Sequence, residues 1–266
     1  MTFWDLSATV EFDYLDRVLA PLSDQAHQRQ IPLMVVGAAA RDLLINGVAG
    51  AGPLRATDDV DVAVAVRSWE DLDALIAPFE GQPPVPHRFS IGGMSVDIVP
   101  FGAVESPDRA IVWPNASRMT VLGFSEALSH ADVVRLRSGR EVTVPSLAAQ
   151  AVLKLIAWND RHDIDSRDAE DLRTIFWAGS QGPFLEELYG AQTALLQSYD
   201  WDPAVAGAAA LGHQAHAILD PYGRRVVASI IAASVEGDGL LLGHMRGDVA
   251  EAGALARAFG SPFADA

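Results

Sequence analysis

The segment Thr57-Asp58-Asp59-Val60-Asp61-Val62 constrains this chain more than any other, because it builds carboxylates into the start of a β-branched, apolar run that continues to Val66. Val60 to Val66 predicts a buried strand. Side chains at i and i+2 of a strand share a face, roughly 6.6 Å apart along the chain, so Asp59 and Asp61 point the same way. Carboxylates so placed can bridge a pair of cations. Two-metal phosphoryl-transfer sites hold their ions about 3.5 to 4 Å apart, and hard oxygen ligands suit magnesium. The alternative is an edge strand whose aspartates simply face solvent.

Four further charged residues sit where charge is costly. Between Ile31 and Leu54 the only charged side chains are Arg41 and Asp42, following Val36-Gly37-Ala38. Leu33 to Val36 predicts a short strand and Ala38 to Ile45 a helix, with Gly37 as the turn. Backbone N–H groups and the positive dipole end of such a helix offer a seat for a triphosphate, and Arg41 lies one turn further in. Arg41 and Asp42 could instead pair with neighbours. Asp97 lies in Ser95-Val96-Asp97-Ile98-Val99-Pro100, where a buried carboxylate needs a cation or hydrogen-bond donors. If its strand lies beside the first, Asp97 completes a metal site and can accept the proton of an attacking hydroxyl. Lys154 is the only charge between Ser146 and Asn159. Its anion is either a donor phosphate or the pair Asp168 and Asp171, which share a helix face at i, i+3 spacing.

The rest of the chain frames these positions. An amphipathic helix is expected over 9–30, a capped helix after Ser68, a hairpin 87–91/94–101 turning at Gly92-Gly93, and a second hairpin at 133–137/141–144. Helices follow near 146–159, 166–178, 183–198, 203–219 and 222–235. We therefore expect a catalytic lobe over 1–145 and a helical lobe over 146–266. Gly47 to Pro53 is glycine-rich but lacks the Lys-Ser or Lys-Thr of a P-loop. His213 and His216 lack an acidic co-ligand and read as surface or packing residues.

Composition narrows the class. With no cysteine, disulfides, thiolate metal sites and a cysteine nucleophile are excluded. Nineteen basic against 35 acidic residues give a net charge of -16, which argues against a broad nucleic-acid footprint. Arg135, Arg137, Arg140, Arg161, Arg167 and Arg173 are the candidates for a local basic patch. The apolar runs fall short of the roughly 20 residues that span a bilayer, and the start Met1-Thr2-Phe3-Trp4-Asp5 lacks signal-peptide features, so a soluble cytoplasmic protein without membrane contact is expected.

Taken in order, Val36-Gly37-Ala38, Asp59-Val60-Asp61-Val62 and Asp97 resemble the signature of the DNA polymerase β-like nucleotidyltransferase superfamily. With Lys154 and Arg167-Asp168-Ala169-Glu170-Asp171-Leu172 added, the set resembles the AbiEii-type nucleotidyltransferases, toxins of type IV toxin–antitoxin systems. The segment Val36 to Leu44 also looks like part of tRNA CCA-adding enzymes. Ala38 stands where the family usually has a second glycine or a serine. The resemblance implies an α+β fold, a mixed sheet flanked by helices and followed by a mainly helical lobe. It implies magnesium or manganese held by Asp59, Asp61 and Asp97, and a nucleoside triphosphate donor bound by Gly37, Ala38, Arg41, Lys154 and Asp168. Lys154 would join the three aspartates as catalytic. The candidate acceptors are tRNA, a protein side chain or a small molecule such as an aminoglycoside, and the implied protein partner is a cognate antitoxin. An inactive nucleotide- or partner-binding relative is the competing reading.

Overall fold

The computed structural model describes residues 1–52, 59–237 and 239–264; Pro53, Thr57 and Asp58 lie outside the described residues. The chain divides into two compact units, Met1–Leu43 with Pro53–Ser146, and Leu44–Gly52 with Leu147–Ala266.

The first unit contains β1 (Phe3–Asp5), α1 (Asp13–Arg29), β2 (Leu33–Val36), α2 (Gly37–Asp42), β3 (Asp59–Val66), α3 (Trp69–Ile76), β4 (Glu80–Gly81), β5 (Arg88–Ile91) and β6 (Met94–Gly102). It continues with β7 (Ala110–Val112), β8 (Arg118–Thr120), α4 (Phe124–Ser129), β9 (Asp132–Arg135) and β10 (Glu141–Val144). The main sheet has the order β2-β3-β6-β5-β4. β3 and β6 pair parallel while the other pairings are antiparallel, which makes the sheet mixed, as expected. A parallel neighbour requires a crossover, and α3 lies within the segment that supplies it.

Burial explains the order. Val60, Val62, Ala63, Val64, Val96 and Ile98 are fully buried, each large side chain contributing roughly 1.5–3 kcal/mol. α1 buries Leu15, Val18, Leu19, Leu22 and Ala26, its one apolar stripe. Ser68 caps α3 by accepting from the Asp71 amide at 3.3 Å. Gly92 and Gly93 both take positive φ, the requirement of the tight turn between β5 and β6. The sequence pattern did not reveal β1. It runs parallel to β9 and is fastened by Asp132, which accepts from the Thr2 amide at 2.8 Å and Trp4 Nε1 at 3.3 Å.

The second unit is helical: α5 (Leu147–Arg161), α6 (Arg167–Ala178), α7 (Gly182–Tyr189), α8 (Thr193–Ser198), α9 (Pro203–Ile218), α10 (Pro221–Ile231), α11 (Leu240–His244) and α12 (Val249–Gly260). The helix expected over 183–198 is broken at Gly190, whose ψ of -104° leaves the helical region. There the Thr193 hydroxyl donates to the carbonyls of Tyr189 and Gly190. Small residues let α9 pack closely; a Cβ on Gly212 would stand 2.1 Å from the Phe259 carbonyl oxygen of α12. Among the described residues, no helix is long and apolar enough to cross a membrane.

Candidate active site

Parallel pairing of β3 with β6 sets Asp61 opposite Asp97 and Asp59 opposite Ser95. In-register partners on adjacent strands point to the same face, their backbones about 4.8 Å apart. Asp59, Asp61 and Asp97 therefore share one face of the sheet. Asp97 is buried, with 8% of its surface exposed, while Asp59 and Asp61 are half-buried.

The glycine turn lies against this face. β2 ends with Val36 opposite Asp61, and Gly37 then turns with φ at +65°. A Cβ at Gly37 would come 2.0 Å from Asp61 Oδ2, so glycine alone supplies both the backbone conformation and the space. Gly37→Ala is expected to cost about 1–2 kcal/mol from its backbone conformation alone, and to displace the Asp61 carboxylate as well. Urea unfolding measures the first effect. Gly93→Ala, at φ +81° with nothing within 4 Å of the added carbon, supplies a control that carries strain without touching Asp61.

The other neighbour of β6 brings a cation. Arg88 of β5 stands opposite Asp97. Its Nε donates to Asp97 Oδ1 and its Nη2 to Asp97 Oδ2, both at 2.7 Å, and Nη2 also reaches Asp59 Oδ2 at 3.3 Å. Donating to Asp97, helped by the charges of Asp97, Asp59 and Asp61, holds the Arg88 pKa above the ordinary arginine value. His87 Nε2 lies 3.8 Å from Asp97 Oδ2. Burial, with the charge of Arg88, pushes the His87 imidazole below its usual pKa despite Asp97. That ring packs on Trp113 at 5.2 Å, and Trp113 meets Trp69 edge-on at 5.8 Å.

The sequence reading missed Arg88, although a signal was present. With Gly92 and Gly93 as the turn residues, Ile91 faces Met94, and three steps back along each strand Arg88 faces Asp97. Among the described residues, no three histidine, aspartate or glutamate side chains are arranged to hold a metal ion as the site stands. The donor set itself fits a hard divalent cation: carboxylate oxygens on two adjacent, buried strands, already drawn around a positive group.

Two other expected residues find anions elsewhere. Arg41 is 3% exposed, and both Nε and Nη2 contact Asp42 Oδ1, at 2.9 and 2.8 Å. Its guanidinium thus lies inside the unit with Asp42 as an anion beside it, the pairing that the sequence had offered as the alternative to a donor phosphate. Ala38 follows Gly37 in α2, which spans six residues and continues directly as a π-helix at Leu43–Val48, so the segment expected as a helix over 38–45 is helical with its second half widened. Lys154 donates to Asp168 Oδ1 at 3.0 Å and Asp171 Oδ2 at 2.7 Å. Burial opposes its charge, but Asp171 and Asp168 outweigh that and raise its pKa. Asp168 also accepts from Arg161 Nε at 2.7 Å. Lys154 and Asp168 thus form an ion network inside the helical unit, the alternative the sequence had offered.

The candidate basic patch is also accounted for by pairing. Arg135 meets Glu141, Arg137 Asp13, Arg140 Asp16, Arg161 Asp168, Arg167 Asp165 and Arg173 Glu251.

No protein-family model and no curated protein matches this sequence. Solved structures do resemble it. An antigenic nucleotidyltransferase-like protein from Paracoccidioides brasiliensis is 21% identical, with 72% of this chain and 92% of that chain covered at a TM-score of 0.44. The antibiotic-resistance factor ANT(2'')-Ia, in complex with adenylyl-2''-tobramycin, is 16% identical over 68% of this chain and 96% of that one, at a TM-score of 0.36. The Thermotoga maritima CCA-adding enzyme complexed with tRNA is 13% identical, with 92% and 80% covered and a TM-score of 0.24.

Proposed function

We propose that the chain is a metal-dependent nucleotidyltransferase, moving a nucleoside monophosphate from a nucleoside triphosphate to an acceptor hydroxyl and releasing pyrophosphate. The observation that carries this reading is the register that places Asp61 beside Asp97, with Asp59 two residues away on the same face. Asp59, Asp61 and Asp97 would hold magnesium or manganese, which when bound supplies charge stabilisation at the α-phosphate and the leaving oxygen. The chain's own groups do the rest. Asp97, the most buried of the three, accepts the proton of the acceptor hydroxyl as that oxygen bonds to the α-phosphorus and the bond to the β-phosphate oxygen breaks. Gly37 keeps the turn close enough to fix the Asp61 carboxylate.

For the acceptor, charge favours a small, cationic, hydroxyl-bearing molecule of aminoglycoside type over tRNA. The net charge is -16, and the six arginines that might have made a basic patch are each engaged by a carboxylate. An AbiEii-type toxin would instead use tRNA and have an antitoxin partner. The test is incubation with manganese or magnesium, α- or γ-labelled triphosphates, and either aminoglycosides or total tRNA. Transfer of the α-label with γ-label released as pyrophosphate is the expected result, and an aminoglycoside should be the better acceptor. Transfer of γ-label, or no transfer to any acceptor, would overturn the reaction class; preferred labelling of tRNA would overturn the acceptor.

A further inference from the structure

The carboxylate site contains a cation of its own. Both oxygens of Asp97 are engaged by Arg88 at 2.7 Å, and the same Nη2 extends to Asp59 at 3.3 Å. A divalent ion coordinated by Asp97 and Asp59 would meet a positive guanidinium already seated on the same carboxylate oxygens, so the two cations compete for one site. Arginine does not lose its proton inside a protein. The guanidinium therefore leaves those oxygens only if the side chain moves. The side chain is 33% exposed, against 11% for Asp97, so it has solvent on one side into which to turn.

We infer that Arg88 is a resident counter-cation that closes the carboxylate site until a divalent metal displaces it, and so sets the metal affinity. This rests on the metal-binding reading above. Its first consequence is that three like charges on neighbouring strands are kept from repelling one another before metal arrives. A second is that metal binding works against an existing bidentate pair, among the stronger hydrogen-bonded contacts available to a carboxylate.

The inference is tested by titrating manganese, read by electron paramagnetic resonance of the free ion, into wild type, Arg88→Gln, Arg88→Lys and Asp61→Asn. Arg88→Gln removes a unit charge a few ångströms from the metal position and should bind manganese at least about fivefold more tightly than wild type. Arg88→Lys keeps the charge without the planar fork and should fall between them. Asp61→Asn should weaken binding in both the wild-type and Arg88→Gln backgrounds. Circular dichroism verifies that each variant is folded, and Arg88→Lys serves if Arg88→Gln is not. Equal or weaker manganese binding by the folded Arg88 variants, with wild-type binding still dependent on Asp61, would overturn the counter-cation alone. Wild-type binding that is absent or indifferent to Asp61→Asn would overturn the metal site and this inference with it.

Discussion

Asp61→Asn is expected to reduce transfer of an α-labelled nucleotide by at least about a thousandfold, equivalent to roughly 4 kcal/mol of transition-state stabilisation. The substitution keeps the shape of the side chain that packs against Gly37 and removes only a charge. Stability should therefore hold, with the melting temperature within a few degrees of wild type. Asp61 is the cleaner choice of the three, because Asp97 also anchors Arg88 through two hydrogen bonds and its loss would release a cation into the site. Transfer that survives in a folded Asp61→Asn protein would show that this carboxylate does no catalysis.

Lys154→Met is expected to be the most damaging change in the helical unit, at about 3–5 kcal/mol, the usual effect of removing one partner from a buried ion pair. Asp168 and Asp171 are 3% and 8% exposed and would lose their shared ammonium, although Arg161 would still reach Asp168. Urea unfolding of Lys154→Met beside Lys154→Met/Asp171→Asn measures the effect, and the double variant should recover part of the loss. The pH dependence has a definite sign. The folded pKa of Lys154 lies above its ordinary 10.5, so its contribution is complete below that value and is lost as pH rises through the folded pKa. Wild type should therefore keep this stabilisation through neutral pH, and the gap between wild type and Lys154→Met should close only in strong alkali.

How much of this was legible in the sequence depends on the range of the interaction. Local rules carried the capped start of α3, the two-glycine hairpin and the apolar alternation of β3, because each is decided within a few residues. The facing of Arg88 and Asp97 was also written there, since a two-residue turn fixes hairpin register. The juxtaposition of Asp61 and Asp97 was not. It depends on a parallel pairing across α3 and a hairpin, and a slip of one residue would have turned Asp97 to the opposite face. The pairing of β1 with β9 lay out of reach for the same reason, with Thr2 and Asp132 separated by 130 positions. Arg41 shows the limit of reasoning from apolar context. A charge in an apolar stretch does need a partner, and Asp42 is one for Arg41, but apolar context alone does not choose between a neighbouring side chain and a ligand phosphate.

The proposed function rests on three aspartates of one sheet face binding the metal that activates a nucleotide. Its most direct test is a crystal structure with manganese and a non-hydrolysable triphosphate, read by anomalous scattering. A manganese peak about 2.1 Å from oxygens of Asp59, Asp61 and Asp97 is expected, with the Arg88 guanidinium withdrawn from Asp97. Manganese bound elsewhere, or Arg88 still bidentate on Asp97 beneath a bound triphosphate, would contradict it.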